Sequence, residues 1–141
     1  MIRHSGSRPA AWPAHCLPYE QAARVYSSGR IVLGLQFDNS SMTQTSCRVL
    51  EVLGSGRFHL APHTPATAAR FRNGVHLALS ASPPETLDMA RYYLARPASR
   101  QKIAQAGREH VLAHHTYKHR AAQMLEPVRT VIGKGEALCA Q

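Results

Sequence analysis

Ile31-Val32-Leu33-Gly34-Leu35 is followed by Gln36-Phe37-Asp38-Asn39-Ser40-Ser41, and then by a run from about Thr43 to Leu53 that closes at Gly54 and Gly56. The first five residues are a β-branched apolar run of strand length, of the kind buried on both faces in parallel sheets. The next six are polar and read as a loop. Between Thr43 and Leu53, Val49, Leu50, Val52 and Leu53 form an apolar side, while Arg48 and Glu51 fall one turn apart on another. The two glycines stop the helix. Strand, polar loop, helix and glycine turn in succession is one βα unit of a parallel sheet.

The same alternation continues in both directions. Upstream, Tyr19 to Ser28 reads as a short helix ended by Gly29. Downstream, Phe58 to Ala61 reads as a second strand, with Pro62 and Pro65 in the loop after it and one or two helical turns over Ala66 to Phe71. Asn73-Gly74 marks a turn, and Val75 to Leu79 a third strand. Ser82-Pro83-Pro84-Glu85 has the form of a capping box, with Ser82 as cap, Pro83 at the first helical position and Glu85 reaching back. The helix it opens carries Leu87, Ala90, Arg91 and Leu94 at helical spacing, and Pro97 breaks it. Another helix is expected from about Ser99 to His114, with Ile103, Gly107, His110, Val111 and His114 along one side. The expected fold class is α/β, a partial Rossmann-like parallel sheet flanked by helices. With only about three strands it reads as the second half of such a domain. The expected organisation is an irregular segment over 1–17, the incomplete domain over 18–125 and a tail over 126–141.

Composition limits the function classes. The 141 residues suffice for one domain with a modest core. No apolar run approaches the about 20 residues needed to span a bilayer, and Met1 to Ala14 lacks the apolar core of a secretory signal; a cytoplasmic protein is expected. Cys16, Cys47 and Cys139 are three and widely spaced, which describes neither a disulfide framework nor a zinc knuckle. The net charge of +9 raises the question of nucleic acid. The arginines and lysines are scattered from Arg3 to Lys134 without a dense run or interleaved aromatics, so no nucleic-acid partner is expected and a basic surface favouring small anions is. Pairs of histidines four apart, His110 and His114 and also His115 and His119, have zinc-like spacing but no H-E-x-x-H pattern and no third ligand; no metal site is expected. The His115-Thr116-Tyr117 corner and the Tyr92-Tyr93 pair read as packing, and His63 as either packing or facing a ligand.

The chemistry concentrates at the start of the helix after the first strand. Ligands of open parallel sheets bind beyond the carboxyl ends of the strands. A helix that begins there presents unpaired N–H groups and its positive dipole end, which suit phosphate. Ser40, Ser41, Thr43, Gln44 and Thr45 supply small or hydrogen-bonding side chains at that mouth. Further in, Glu51 has the chemistry to accept from neighbouring ribose hydroxyls, and Arg48 that to neutralise phosphate. An ordinary i,i+3 salt bridge on a solvated face is the alternative reading of that spacing.

Arg48-Val49-Leu50-Glu51-Val52-Leu53-Gly54-Ser55-Gly56 resembles the R-x-x-E-x-x-x-x-G helix of group 1 glycosyltransferases, whose GT-B fold sets two Rossmann-like domains across a cleft. The likeness is closest to the spore-maturation CgeB-like branch. It extends over Pro18-Tyr19-Glu20 to Tyr26, Ile31 to Gly34, Phe71-x-x-Gly74, Ser80 to Leu87, Arg91 to Leu94, Arg100-x-x-Ile103-Ala104-x-x-Gly107, and His115-Thr116-Tyr117-x-His119-Arg120. The resemblance implies a C-terminal donor-binding domain, with Glu51 on the donor's ribose and Arg48 in the same pocket. Gln44, Thr45, Thr43 and Ser41 complete the candidate donor-binding set. Many retaining members carry a glutamate where this chain has Thr43, so the sugar-side contact is left unassigned. The implied donor is a nucleoside-diphosphate sugar, with no tightly bound cofactor. The implied partner is an N-terminal domain, on the same or on a separate chain, without which little or no transferase activity is expected. The competing reading is a non-catalytic nucleotide-binding or interaction remnant, with an exposed apolar face where further strands would pair.

Overall fold

The structure, a computed structural model, describes residues 18–35 and 43–139. The elements are α1 (Tyr19–Ser28), β1 (Val32–Leu33), α2 (Cys47–Gly54), β2 (His59–Pro62), α3 (Pro65–Arg70), β3 (Ala78–Ser80), α4 (Pro83–Leu94), α5 (Pro97–His114) and α6 (Tyr117–Cys139). The strands form one parallel sheet in the order β1-β2-β3, with Val32 opposite His59 and Leu60 opposite Ala78.

Alternation along the strands builds two cores, because successive side chains point to opposite faces. Ala61 and Leu79 join Val49, Leu53, Phe71, Leu77 and Val111 on the α2 side. Leu60 and Ala78 join Phe58, Ile103 and Ala104 on the other, with Met89, Ala90 and Tyr93 of α4 packed against them. The helix α5 serves both cores. At its midpoint Gly107 lies against the His76 carbonyl and Leu53, where a Cβ has no room.

The structure corrects several expectations. The first strand is shorter than Ile31–Leu35 and is not buried on both faces: Leu33 is 54% exposed and Leu35 79%. The reason is position, since among the described residues β1 has a neighbour on one side only. The helix α2 starts at Cys47 rather than Thr43, because the Ser46 hydroxyl accepts from the Arg48 N–H and caps it there. Residues 74–76 form a turn, Gly74 having φ +73°, Leu77 pairs with Asn73 in an isolated bridge, and the third strand starts only at Ala78. On α4 the inward side is Met89, Ala90 and Tyr93, while Leu87 and Leu94 face outward. The backbone beyond Glu126 remains helical to Cys139, through Pro127.

Other expectations hold. Helix α1 covers the expected ten residues. The capping box forms at α4: Ser82 Oγ accepts from the Glu85 N–H at 3.4 Å, and Glu85 reaches back to the Ala81 N–H at 2.6 Å. Gly56 takes the left-handed conformation, φ +70°, that ends α2. No helix among the described residues is long and apolar enough to cross a membrane.

Candidate functional site

The three strands end at Leu33, Pro62 and Ser80, and α2 starts beside the first of these ends. Its capped N-terminus leaves the polar approach of Thr43, Gln44 and Thr45 as non-helical chain leading into the mouth. Thr43 and Gln44 are exposed there. Thr45 is tied down: its Oγ1 accepts from Arg70 Nη1 at 3.2 Å, and the same nitrogen donates to the Ala66 carbonyl at 3.0 Å. Arg70, at the end of α3, thereby fastens the loop of one βα unit to the next. Ser41 lies outside the described residues.

Arg48 and Glu51 stand on the flank of α2 that turns toward α1. The Tyr26 hydroxyl, 25 residues earlier in the chain, donates to Glu51 Oε2 at 3.1 Å. Burial raises the Tyr26 hydroxyl above its usual pKa, and the Glu51 carboxylate raises it further; the nearby Arg48 guanidinium opposes both. The hydroxyl therefore stays protonated at neutral pH and holds one carboxylate oxygen of Glu51 in a fixed direction. Glu51 sits on a ridge between two hollows. One, toward α1, is lined by Ala22, Tyr26 and Ser55. The other, about 450 Å³, lies between α2 and the α5–α6 corner and is lined by Cys47, Leu50, Val111, His115 and Tyr117. That size is within the range of small-molecule sites, roughly 300–1,000 Å³.

Beneath the head of α2 lies His59 on β2, 1% exposed. Its Nδ1–H donates to the Val32 carbonyl at 3.0 Å, and Nε2 has no partner among the described residues. Burial holds its pKa down at about 4; the nearby Arg48 also lowers it, while the bond to the Val32 carbonyl opposes them. The ring is neutral at pH 7, with Nε2 as an acceptor. Gly34 leaves space for it: a Cβ there would stand 2.9 Å from Ala61 Cβ and 3.1 Å from His59 Cε1.

Of the predicted residues, then, the structure brings Arg48 and Glu51 together with Tyr26, ties Thr45 to Arg70, and leaves Thr43 and Gln44 at the exposed mouth. Tyr26 and Arg70 were missed by sequence reasoning; His59 falls on the strand leading to the cleft but carried no assigned role. Only Tyr26 carried a signal, at the polar edge of a helix just ahead of the strand. The histidines of α5 pack. His110 stacks on His76 at 4.1 Å and meets the edge of Phe71, which also contacts His115. At the same corner Tyr117 is 88% exposed and contributes little packing. His63 is exposed at the end of β2. Among the described residues no group of three or more His, Cys, Asp or Glu is placed to hold a metal ion.

Comparison with known proteins supplies the context. A family model described as glycosyl transferase-like matches residues 2–126. Among solved structures, a sucrose-phosphate synthase from Thermosynechococcus elongatus superposes with a TM-score of 0.69 at 19% identity. The match covers 82% of this chain and 28% of that one, so this chain spans under a third of the relative's length. A comparison with curated proteins finds no match. The shared architecture is that of part of a GT-B C-terminal domain, with a small parallel sheet flanked by helices.

Proposed function

The chain belongs to the glycosyl transferase-like family, and from that membership we propose that it binds the nucleoside-diphosphate sugar donor of a group 1 glycosyltransferase of the CgeB-like branch. The observation that carries this reading is the Tyr26–Glu51–Arg48 group on the flank of α2. Glu51, oriented by Tyr26, accepts from the donor's ribose hydroxyls. Arg48 and the N–H groups at the head of α2 face the diphosphate, whose charge grows as the sugar leaves. Gln44, Thr45 and Thr43 add hydrogen-bonding groups at the mouth, and Ser41, outside the described residues, is retained as a candidate donor-binding residue. Thr43 brings no carboxylate to the transferred sugar, so the sugar is held by other groups. Residues 1–141 by themselves bind donor without efficient transfer, which requires a second Rossmann-like domain carrying the acceptor site.

The test is titration of uridine and guanosine diphosphates into the wild-type chain and into Glu51→Ala by calorimetry. Binding that weakens about tenfold or more in the variant, the scale of a lost charge-assisted hydrogen-bond pair, supports the donor site. Equal binding by both refutes the role of Glu51. One observation favours a non-catalytic module instead: the outer edge of β1, with Leu33 and Leu35 exposed, has the character of an interaction surface. No nucleotide binding by the wild type supports that reading.

A further inference from the structure

The opposite end of the sheet carries a second concentration of charge. A cavity of about 400 Å³ opens where the turns entering β1 and β2 meet α5. Arg30 reaches it from the first turn, Arg57 from the second, and Arg100 from α5. A fourth guanidinium adjoins them: Arg108 lies over Gly56, its Cδ 3.3 Å from where a Cβ would be. Three cations line one hollow and a fourth stands beside it, and no acidic residue is among its described lining residues.

Their commitments differ. Arg100 is anchored, its Nη1 donating to the Tyr93 and Leu94 carbonyls at the end of α4. That bond fixes the charge in place and leaves the rest of the guanidinium unused by it. Arg30, Arg57 and Arg108 make no side-chain hydrogen bond or ion pair with other described residues. Glu109, the acid on this part of α5, is held by Gln105 at 2.6 Å. The chain places like charges together without a carboxylate to offset them, in a protein already at net charge +9. A planar guanidinium fork matches the oxygens of a phosphate, and several forks on one hollow match a ligand of more than one negative charge.

We propose that this cavity binds a small phosphorylated molecule through Arg30, Arg57 and Arg108, with Arg100 as a fixed positive background. The volume is that of a small-molecule site. The site lies at the N-terminal ends of the strands, away from Arg48 and Glu51, and does not depend on the donor-binding reading.

The experiment titrates pyrophosphate into the full chain by calorimetry at low and at physiological salt. All variants are made in an Arg48→Ala background, which removes the guanidinium assigned to the donor diphosphate. The comparison set is Arg30→Glu/Arg57→Glu, the milder Arg57→Gln, and Arg129→Ala as a control on the exposed helix α6. Thermal melts establish that each variant is folded. The expected result is binding by the background protein that weakens with salt, falls about tenfold or more in the double charge reversal, falls less in Arg57→Gln, and is unchanged in Arg129→Ala. Binding that survives the double reversal, or that is already absent from the Arg48→Ala background, overturns the proposal. Binding of a single-stranded oligonucleotide without binding of pyrophosphate also overturns it, making the arginines part of a backbone-tracking surface.

Discussion

Acidification should destabilise the fold in part through His59. His59 is neutral in the folded chain, its pKa held at about 4 by burial, and it returns to the usual 6.5 when the chain unfolds. The unfolded state therefore binds a proton that the folded state refuses. A depressed folded pKa gives stability that is present above pH 6.5 and is lost as pH falls toward 4, after which the loss levels off. The difference between the usual 6.5 and about 4 corresponds to about 3 kcal/mol, most of it lost by about pH 4.5. Against a total stability of about 5–15 kcal/mol this is a large share. The assay is urea unfolding followed by circular dichroism between neutral pH and about pH 4.5, in the wild type and in His59→Leu and His59→Gln. His115, whose pKa is lowered by burial and by Arg120, titrates in all three proteins and cancels from the differences. The stability of the wild type relative to each variant should fall by about 2 kcal/mol across that window. A difference that stays flat with pH would show that the ring is not held neutral by burial, and the account of the site's floor would be wrong.

Two further outcomes test the packing and the site. Tyr26→Phe removes the hydrogen bond to Glu51 and should weaken nucleoside-diphosphate binding several-fold, for about 1 kcal/mol, with little change in melting temperature; equal affinity in calorimetry would show that Tyr26 does not orient the carboxylate. Gly107→Ala puts a methyl group into the His76 carbonyl and Leu53 and should cost about 1–3 kcal/mol, read as a lower urea midpoint; an unchanged midpoint would mean that α5 moves freely against the turn before β3.

The parts of the fold legible in the sequence were those set by local chemistry. Ser82 and Glu85 around two prolines specify the start of α4, and no tertiary contact is needed to read them. The alternation of apolar strands with helical segments, punctuated by Gly54, Gly56 and Asn73-Gly74, gave the parallel α/β order. Burial was harder, because it depends on neighbours. Ile31 to Leu35 has the composition of a central strand, yet β1 is the edge of the sheet formed by the described residues. Leu87 and Leu94 are spaced as a buried stripe, yet the sheet meets the side of α4 carrying Met89 and Tyr93. The site followed the same division. Arg48 and Glu51 were visible as neighbours one turn apart. Their link to Tyr26 spans 25 residues, and the hold of Arg70 on Thr45 spans another 25; spacing along one helix carries no trace of either.

The order β1-β2-β3 repeats the order in which the strands are synthesised, so each βα unit can settle on its predecessor as it leaves the ribosome. Both cores, however, wait for α5. Val49 and Leu53 are covered by Val111, and α5 reaches them only after more than half the described chain has been made. Until then the apolar side of α2 stays open to whatever else the nascent chain meets. Helix α5 is the clasp of the assembly, and the interval before it closes is when the polypeptide is most exposed to chaperones and proteases.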